Sequence, residues 1–193
     1  MSDRTLPPGH FYRIAWILYL VLAVAGVVWI GARLGSIPLS LFLRWETAVV
    51  DLGLGVATGL ALVALWIGAR RVLPSARRLE EELAELLGRV DTSEVVALAL
   101  LSGVAEEIFF RGAVQGAVGW PIATLAFTLL HSGPGRPFRV WTLFAGLAGL
   151  AFAGLVVWRG TLLAPIVAHV VVNAINLRHL SRSQPADEAA QGP

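Results

Sequence analysis

The sequence contains neither cysteine nor lysine, and charged residues of any kind are scarce. Without cysteine, the chain has no disulfide bond, no thiolate metal site and no thiol nucleophile. Only 15% of the 193 residues are charged, whereas an average soluble domain has about 25%. The 15 arginines and 13 acidic residues leave a net charge of +2, which is too small and too scattered for a nucleic-acid-binding surface. Nucleic acid is therefore excluded as a partner.

Long apolar runs fill most of the chain. Hydrophobic residues make up 56% of it, and the mean hydropathy is +0.73. A helical run of about 20 apolar residues is long enough to cross a bilayer. The sequence therefore predicts an all-α fold, a polytopic membrane bundle of about six transmembrane helices in one membrane domain, residues 1–193. The predicted apolar segments are 12–32, 48–69, 94–119, 120–132, 139–158 and 161–179.

Two segments differ from these runs. The charged connection 70–93 contains an amphipathic helix with Leu79, Leu83, Leu86 and Leu87 on one side, which is typical of a helix lying at the membrane surface. With the first two spans it forms an N-terminal unit, 12–92, ahead of a core at 94–179. The tail 181–193 has no apolar periodicity, and we predict that it is disordered.

The distribution of arginine predicts the orientation of the chain. With the N-terminus in the cytoplasm, eleven arginines fall on the cytoplasmic side and three, Arg33, Arg44 and Arg159, on the outer side. Both termini are therefore predicted to be cytoplasmic. The first run resembles a signal peptide, but its length of about 20 residues favours a retained anchor. The alanine-, glycine- and arginine-rich composition indicates a bacterial protein, and hence the bacterial cytoplasmic (inner) membrane.

The stretch GVAEEIFFRG places three ionisable side chains in the middle of the third apolar segment. Each costs about 2.5 to 3.5 kcal/mol to insert at the centre of a bilayer, so their presence indicates a function or a partner. Glu107 and Arg111 have the i, i+4 spacing of a structural ion pair, with the orientation of Glu106 as a second role. Glu106 is turned about 100° away from Glu107 and is free to face another helix.

Polar residues on two other segments lie at a similar depth. At 1.5 Å per residue, Glu106 lies about 18 Å from the start of its segment, His131 about 16 Å and His169 about 12 Å, all near mid-membrane. Asn173 follows His169 by one turn, on the same face. The segment SGPGRPF ends the helix of His131 at membrane depth, where irregular backbone requires protein or a water-filled cavity. Each residue alone fits a structural role, but their coincidence favours a catalytic site that activates water.

Three motifs occur in order on successive apolar segments: Glu106-Glu107-x-x-x-Arg111, Phe127-x-x-x-His131 and His169-x-x-x-Asn173. This arrangement, over residues 94–179, resembles the CPBP family of intramembrane proteases, which includes the CAAX prenyl endopeptidases and many bacterial homologues. The resemblance implies an all-helical membrane endopeptidase in which Glu106 and His131 activate a water molecule. It further implies that His169 and Asn173 stabilise the oxyanion, and that Glu107 and Arg111 support the site.

The resemblance also bears on cofactors and substrates. We expect no cofactor; if zinc is bound instead, its ligands are His131, His169 and Glu106, with a fourth position for water. The expected partners are a membrane-anchored protein or peptide substrate and the lipid bilayer. The short N-terminal half argues against prenylated CAAX substrates, and bacterial relatives called myxosortases process C-terminal sorting signals. Neither the substrate nor the oligomeric state follows from the sequence.

Two other classes of function stay open at this point. Carboxylate and histidine side chains inside membranes also relay protons in transporters, although the chain shows no internal repeat of the kind that many transporters have. A non-enzymatic scaffold or immunity protein with the same fold is the other alternative. Intact motifs argue against the scaffold.

Overall fold

The computed structural model describes residues 10–87 and 90–182, and the regular structure within them is helical. A π-helical segment, Glu107–Val114, separates α5 from α6 without a break in the helix. The α-helices are α1 (His10–Leu34), α2 (Leu39–Phe42), α3 (Ala48–Val72), α4 (Pro74–Leu87), α5 (Thr92–Glu106), α6 (Gln115–Val118), α7 (Trp120–Leu130), α8 (Gly135–Arg159) and α9 (Leu163–Arg182).

The helices confirm a polytopic membrane bundle. Four of them, α1, α3, α8 and α9, are long and apolar enough to cross a bilayer. The continuous run from α5 to α6 corresponds to the predicted third segment and carries its buried charges. By contrast, α7 has 11 residues, so it extends about 16 Å and reaches only halfway through a hydrocarbon layer of about 30 Å. The predicted fourth segment is thus helical but too short to cross.

Helix α9 lies at the centre of the packing, against α3, α5 and α8. Its contact with α3 depends on two glycines one turn apart. A Cβ atom added to Gly55 would lie 2.6 Å from the carbonyl oxygen of Ala164, and one added to Gly59 would lie 2.8 Å from that of Ala168. The backbones of α3 and α9 therefore touch directly, as small residues at spacing four allow in membrane helices.

Helix α4 lies across the bundle at the end where α3 finishes. Leu79 is fully buried, and Leu83 and Leu87 pack inward as well. The Trp66 indole N–H donates a hydrogen bond of 2.8 Å to Oε1 of Glu80 and so ties α4 to α3. The apolar side of the predicted amphipathic helix therefore faces the protein. The side chain of Leu86 lies outside the described part of the structure.

At the opposite end, Asp51 joins α3 to the connection between α8 and α9. It is fully buried and forms an ion pair with Arg159. The backbone N–H of Leu162 donates to the carbonyl oxygen of Leu41, which holds α2 against the same connection. At the C-terminus α9 continues to Arg182, so residues 181 and 182 of the predicted disordered tail are helical. The rest of that tail lies outside the described residues.

Candidate active site

The chain leaves α-helical geometry at the two glutamates. Glu106 ends α5, and the π-helical segment begins at Glu107. At its end, the backbone N–H of Gln115 donates to the carbonyl oxygen of Phe110, five residues earlier. Short π-helical segments inside α-helices occur frequently at functional sites. The sequence predicted a helix here, but nothing in its pattern indicated the wider turn.

Glu106 faces both histidines. Its side chain is buried, and Oε2 lies 3.7 Å from Nε2 of His131 and 4.0 Å from Nε2 of His169. Oε2 has no hydrogen-bond partner in the described structure. Both separations exceed the length of a direct hydrogen bond, and they fit a water molecule that bridges the groups.

His131 follows the last residue of α7, where the helix stops at mid-bundle. Its Nδ1 lies 2.8 Å from the carbonyl oxygen of Phe127. Because a carbonyl oxygen only accepts hydrogen bonds, Nδ1 carries the proton, and in the neutral ring Nε2 is an acceptor. The ring packs on that of Phe127, with centroids 4.3 Å apart. His131 therefore presents a fixed lone pair to the gap beside Glu106.

His169 is held by the second glutamate. Its Nδ1 donates a hydrogen bond of 2.8 Å to Oε1 of Glu107, and its ring stacks on Phe152 at 5.0 Å between centroids. The same glutamate oxygen accepts from Nη1 of Arg111 at 3.1 Å. The predicted ion pair between Glu107 and Arg111 is confirmed. Glu107 contacts His169 directly and so orients its ring. The expected orientation of Glu106 by this ion pair stays a prediction.

Arg111 is almost completely buried and has three kinds of contact. Besides Glu107, it donates a hydrogen bond of 3.3 Å to the carbonyl oxygen of Gly149. Its guanidinium group also lies over the ring of Phe127, at 4.2 Å from the centroid. Cation–π contacts of this kind stabilise a desolvated cation by about 2 kcal/mol. Arg111 thus links the ion pair to the helices α7 and α8.

Asn173 lies one turn after His169 on α9. Its amide nitrogen donates to Oγ of Ser102 at 2.8 Å, and Ser102 in turn donates to the carbonyl oxygen of Leu98 at 2.7 Å. One N–H of Asn173 is therefore occupied and the second is available. Sequence reasoning missed Ser102, although a signal was present, since a serine one turn before Glu106 lies on the same face of α5.

A cavity of about 210 Å³ joins these groups. It extends from the polar residues toward α4, where apolar side chains line it. Tyr19 of α1 also lines it, and sequence reasoning missed this residue, because its pattern does not distinguish it from an interfacial tyrosine. The cavity-lining polar residues are Tyr19, Glu80, Ser102, Glu106, His131, His169, Asn173 and Asn176.

The donor set at the centre of the cavity consists of one carboxylate and two imidazoles. These are groups that zinc accepts as ligands. Within the described part of the chain, no group of three histidine, cysteine, aspartate or glutamate side chains has metal-binding geometry. The expectation of a cofactor-free site stays a prediction.

The comparisons with known proteins agree with the motifs. Residues 89–175 match the family model described as type II CAAX prenyl endopeptidase Rce1-like. Over 83 residues the chain is 36% identical to the uncharacterized protein YpbD of Bacillus subtilis (strain 168), an alignment that covers 42% of each protein. The match thus spans less than half of that relative, and no solved structure matches significantly. The matching segment 89–175, which supplies both glutamates and both histidines of the site, is therefore similar to Rce1-like type II CAAX prenyl endopeptidases.

Proposed function

We propose that the chain is an intramembrane endopeptidase that hydrolyses a peptide bond of a membrane-embedded or membrane-anchored protein. One observation carries the proposal: a buried glutamate oxygen without a partner faces two imidazole nitrogens at 3.7 and 4.0 Å inside a cavity. A polar atom buried without a hydrogen-bond partner costs free energy, so proteins keep one chiefly where it has a chemical role.

The charges of the buried cluster around Glu106 support a role of Glu106 as the base and of His169 as a donor to the oxyanion. Glu106 and Glu107 carry two negative charges and Arg111 one positive charge, which leaves one negative charge in excess. A proton on His169 brings the buried cluster to neutrality, as burial favours. Glu107 lies on the Nδ1 side of that ring and Glu106 on its Nε2 side. With Nδ1–H bonded to Glu107, the charged ring also has a free Nε2–H.

In this mechanism, hydrolysis uses the side chains of the site and one water molecule. A water molecule between Glu106 and His131 loses a proton to Glu106, and its oxygen bonds to the scissile carbonyl carbon. The carbonyl oxygen becomes an oxyanion, to which Nε2–H of His169 and the second amide N–H of Asn173 donate. When the carbon–nitrogen bond breaks, Glu106 returns the proton to the leaving amine. General base catalysis contributes about 10²- to 10⁴-fold, and one oxyanion donor about 10²- to 10³-fold.

The Glu106→Gln substitution tests this proposal, because it keeps the shape of the side chain and removes the base. We expect processing to fall by about 10³-fold or more, with normal amounts of folded protein. The measurement compares the protein termini in membranes of the native host carrying wild-type protein, Glu106→Gln or His131→Ala. A substrate is a protein whose new terminus is absent in both variants.

The matched control for this experiment is Glu81→Gln, which removes a carboxylate from the exposed side of α4. Its set of termini should equal that of the wild type. If Glu106→Gln produces the wild-type set as well, the proposal is wrong. Purified wild-type protein and the variants are then compared on the identified substrate in detergent, which shows that the cleavage is direct.

The proposal includes the orientation in the bacterial inner membrane, with both termini in the cytoplasm. Arg70, Arg71, Arg77 and Arg78 lie at the end of the bundle covered by α4, whereas Arg44 and Arg159 lie at the opposite end with α2. Because the chain has no cysteine, single cysteines report sidedness directly. A membrane-impermeant maleimide should label Trp45→Cys in intact cells and Glu81→Cys only after permeabilisation; the reverse result would exclude this orientation.

A further inference from the structure

Tyr19 brings a phenol to the proposed site from outside the segment that matches the family. It lies in the middle of α1 and lines the same cavity as Glu106, His131 and Asn173. Its side chain is half-buried and shares the cavity lining with the Glu106 carboxylate. Ala15, one turn earlier on the same face of α1, is buried and also lines the cavity. This face of α1 is therefore a wall of the site.

Close contacts fix the position of α1 relative to the two glutamates. A Cβ atom added to Gly26 would lie 3.0 Å from Cα of Phe109 in the π-helical segment. One turn further, Ile30 is fully buried and packs against Ile108, Ala113 and Leu162. A sliding or rotating α1 would break both contacts. The phenol of Tyr19 is thus placed beside Glu106 by the packing of the whole helix.

We propose that Tyr19 is a positioning residue of the endopeptidase, whose phenolic O–H donates a hydrogen bond to the Glu106 carboxylate and holds the other carboxylate oxygen toward the two histidines. Oε2, which faces the imidazoles, has no hydrogen-bond partner, so the phenol acts on Oε1. A carboxylate that is bonded through one oxygen loses rotational freedom, and its free oxygen stays aligned with the attacking water. This inference rests on the proposed function and adds a residue that the family motifs do not contain.

The chain offers a matched pair of variants, because it has two tyrosines and both lie on α1. Tyr19→Phe removes only the hydroxyl group beside Glu106. Tyr12→Phe removes the same group two turns earlier, next to Trp16. On a substrate identified with the Glu106→Gln screen, we expect Tyr19→Phe to lower kcat by about tenfold, as the loss of one hydrogen bond to a charged group predicts. KM and the thermal unfolding temperature should stay at wild-type values.

A spectroscopic readout separates positioning from packing. Incorporation of 3-fluorotyrosine gives two ¹⁹F resonances, which Tyr12→Phe assigns. In the inactive Glu106→Gln protein, the Tyr19 resonance should shift and the Tyr12 resonance should not. Wild-type kcat in Tyr19→Phe, or an unmoved Tyr19 resonance, overturns the inference even where Glu106→Gln is inactive. Cleavage by Glu106→Gln would instead overturn the proposed function, so the two failures are distinguishable.

Discussion

Two buried carboxylate clusters lie at different levels of this bundle, and they differ in how completely their oxygens are bonded. Asp51 receives a hydrogen bond of 2.5 Å from Nε of Arg159 on one oxygen. Its other oxygen accepts from the hydroxyl groups of Thr47 at 2.9 Å and Thr161 at 3.3 Å. Every one of these partners belongs to the ends of α3, α8 or α9. The Asp51 cluster is closed and holds three chain segments together.

The cluster at mid-bundle is open. Glu107 is bonded to Arg111 and His169, but Oε2 of Glu106 and Oε2 of Glu107 have no partner in the described structure. Glu106 also lines the cavity of about 210 Å³, and Asp51 is not among the residues that line it. Burial of charge alone therefore does not identify a reactive site in this protein. The distinguishing property is an unbonded carboxylate oxygen on a residue that lines a cavity.

The largest combined effect should come from Glu107→Gln. Arg111 would keep its positive charge in a fully buried position without a carboxylate, a change that typically costs about 3 to 5 kcal/mol. His169 would also lose the carboxylate partner that orients its ring, so activity should fall by about 10²-fold. Thermal unfolding, followed by the fluorescence of the seven tryptophans, and turnover of the substrate measure the two effects. Wild-type values for both would show that the pair is dispensable.

A smaller effect, on stability alone, should follow from Asp51→Asn. Arg159 is partly exposed, so it can turn toward water, and the expected loss is about 1 to 3 kcal/mol of unfolding free energy. The value of kcat per folded molecule should not change, because Asp51 is not among the residues that line the cavity. The measurement pairs thermal unfolding with active-site titration. A lower kcat at full folding would contradict the division into a closed and an open cluster.

The smallest effect should be that of Glu106→Gln on stability. Replacing a buried carboxylate whose Oε2 has no hydrogen-bond partner by a neutral amide removes a desolvated charge, so the unfolding temperature should equal or exceed that of the wild type. The same protein should be inactive. A marked fall in the unfolding temperature would mean that Glu106 holds the bundle together, in the way that Asp51 does.

Patterns within one helix were sufficient to predict several features of this molecule. The ion pair between Glu107 and Arg111 follows from a spacing of four residues, and the helices follow from the apolar runs. The contact between Glu107 and His169 joins residues 62 positions apart, and no local spacing specifies which carboxylate a distant imidazole meets. Sequence reasoning accordingly expected Glu107 to orient its neighbour Glu106 and did not identify His169 as its partner.

The remaining differences also arise from packing between elements. The π-helical segment begins at Glu107, and no pattern in its sequence EIFFRGAV indicates the wider turn. Tyr19 is one aromatic residue among many on α1, and contacts of α1 with other helices, including those of Gly26 and Ile30, place it beside Glu106. Likewise α4 has the composition of a surface helix, and its sequence does not indicate that Leu83 and Leu87 line the cavity. The Glu106→Gln experiment separates the endopeptidase from the transporter and scaffold alternatives.

Because the backbones of α3 and α9 touch at Gly55 and Gly59, the N-terminal half of the chain fixes the position of side chains that the C-terminal half brings to the site. Since α9 presents His169 and Asn173, its distance from α5 and α7 sets how well two donors reach a developing oxyanion. Misplacement of a reacting group by about 1 Å is enough to cost a factor of about 10² in rate. Helix α3 carries no proposed catalytic group, yet its contact with α9 thereby limits the rate of the reaction.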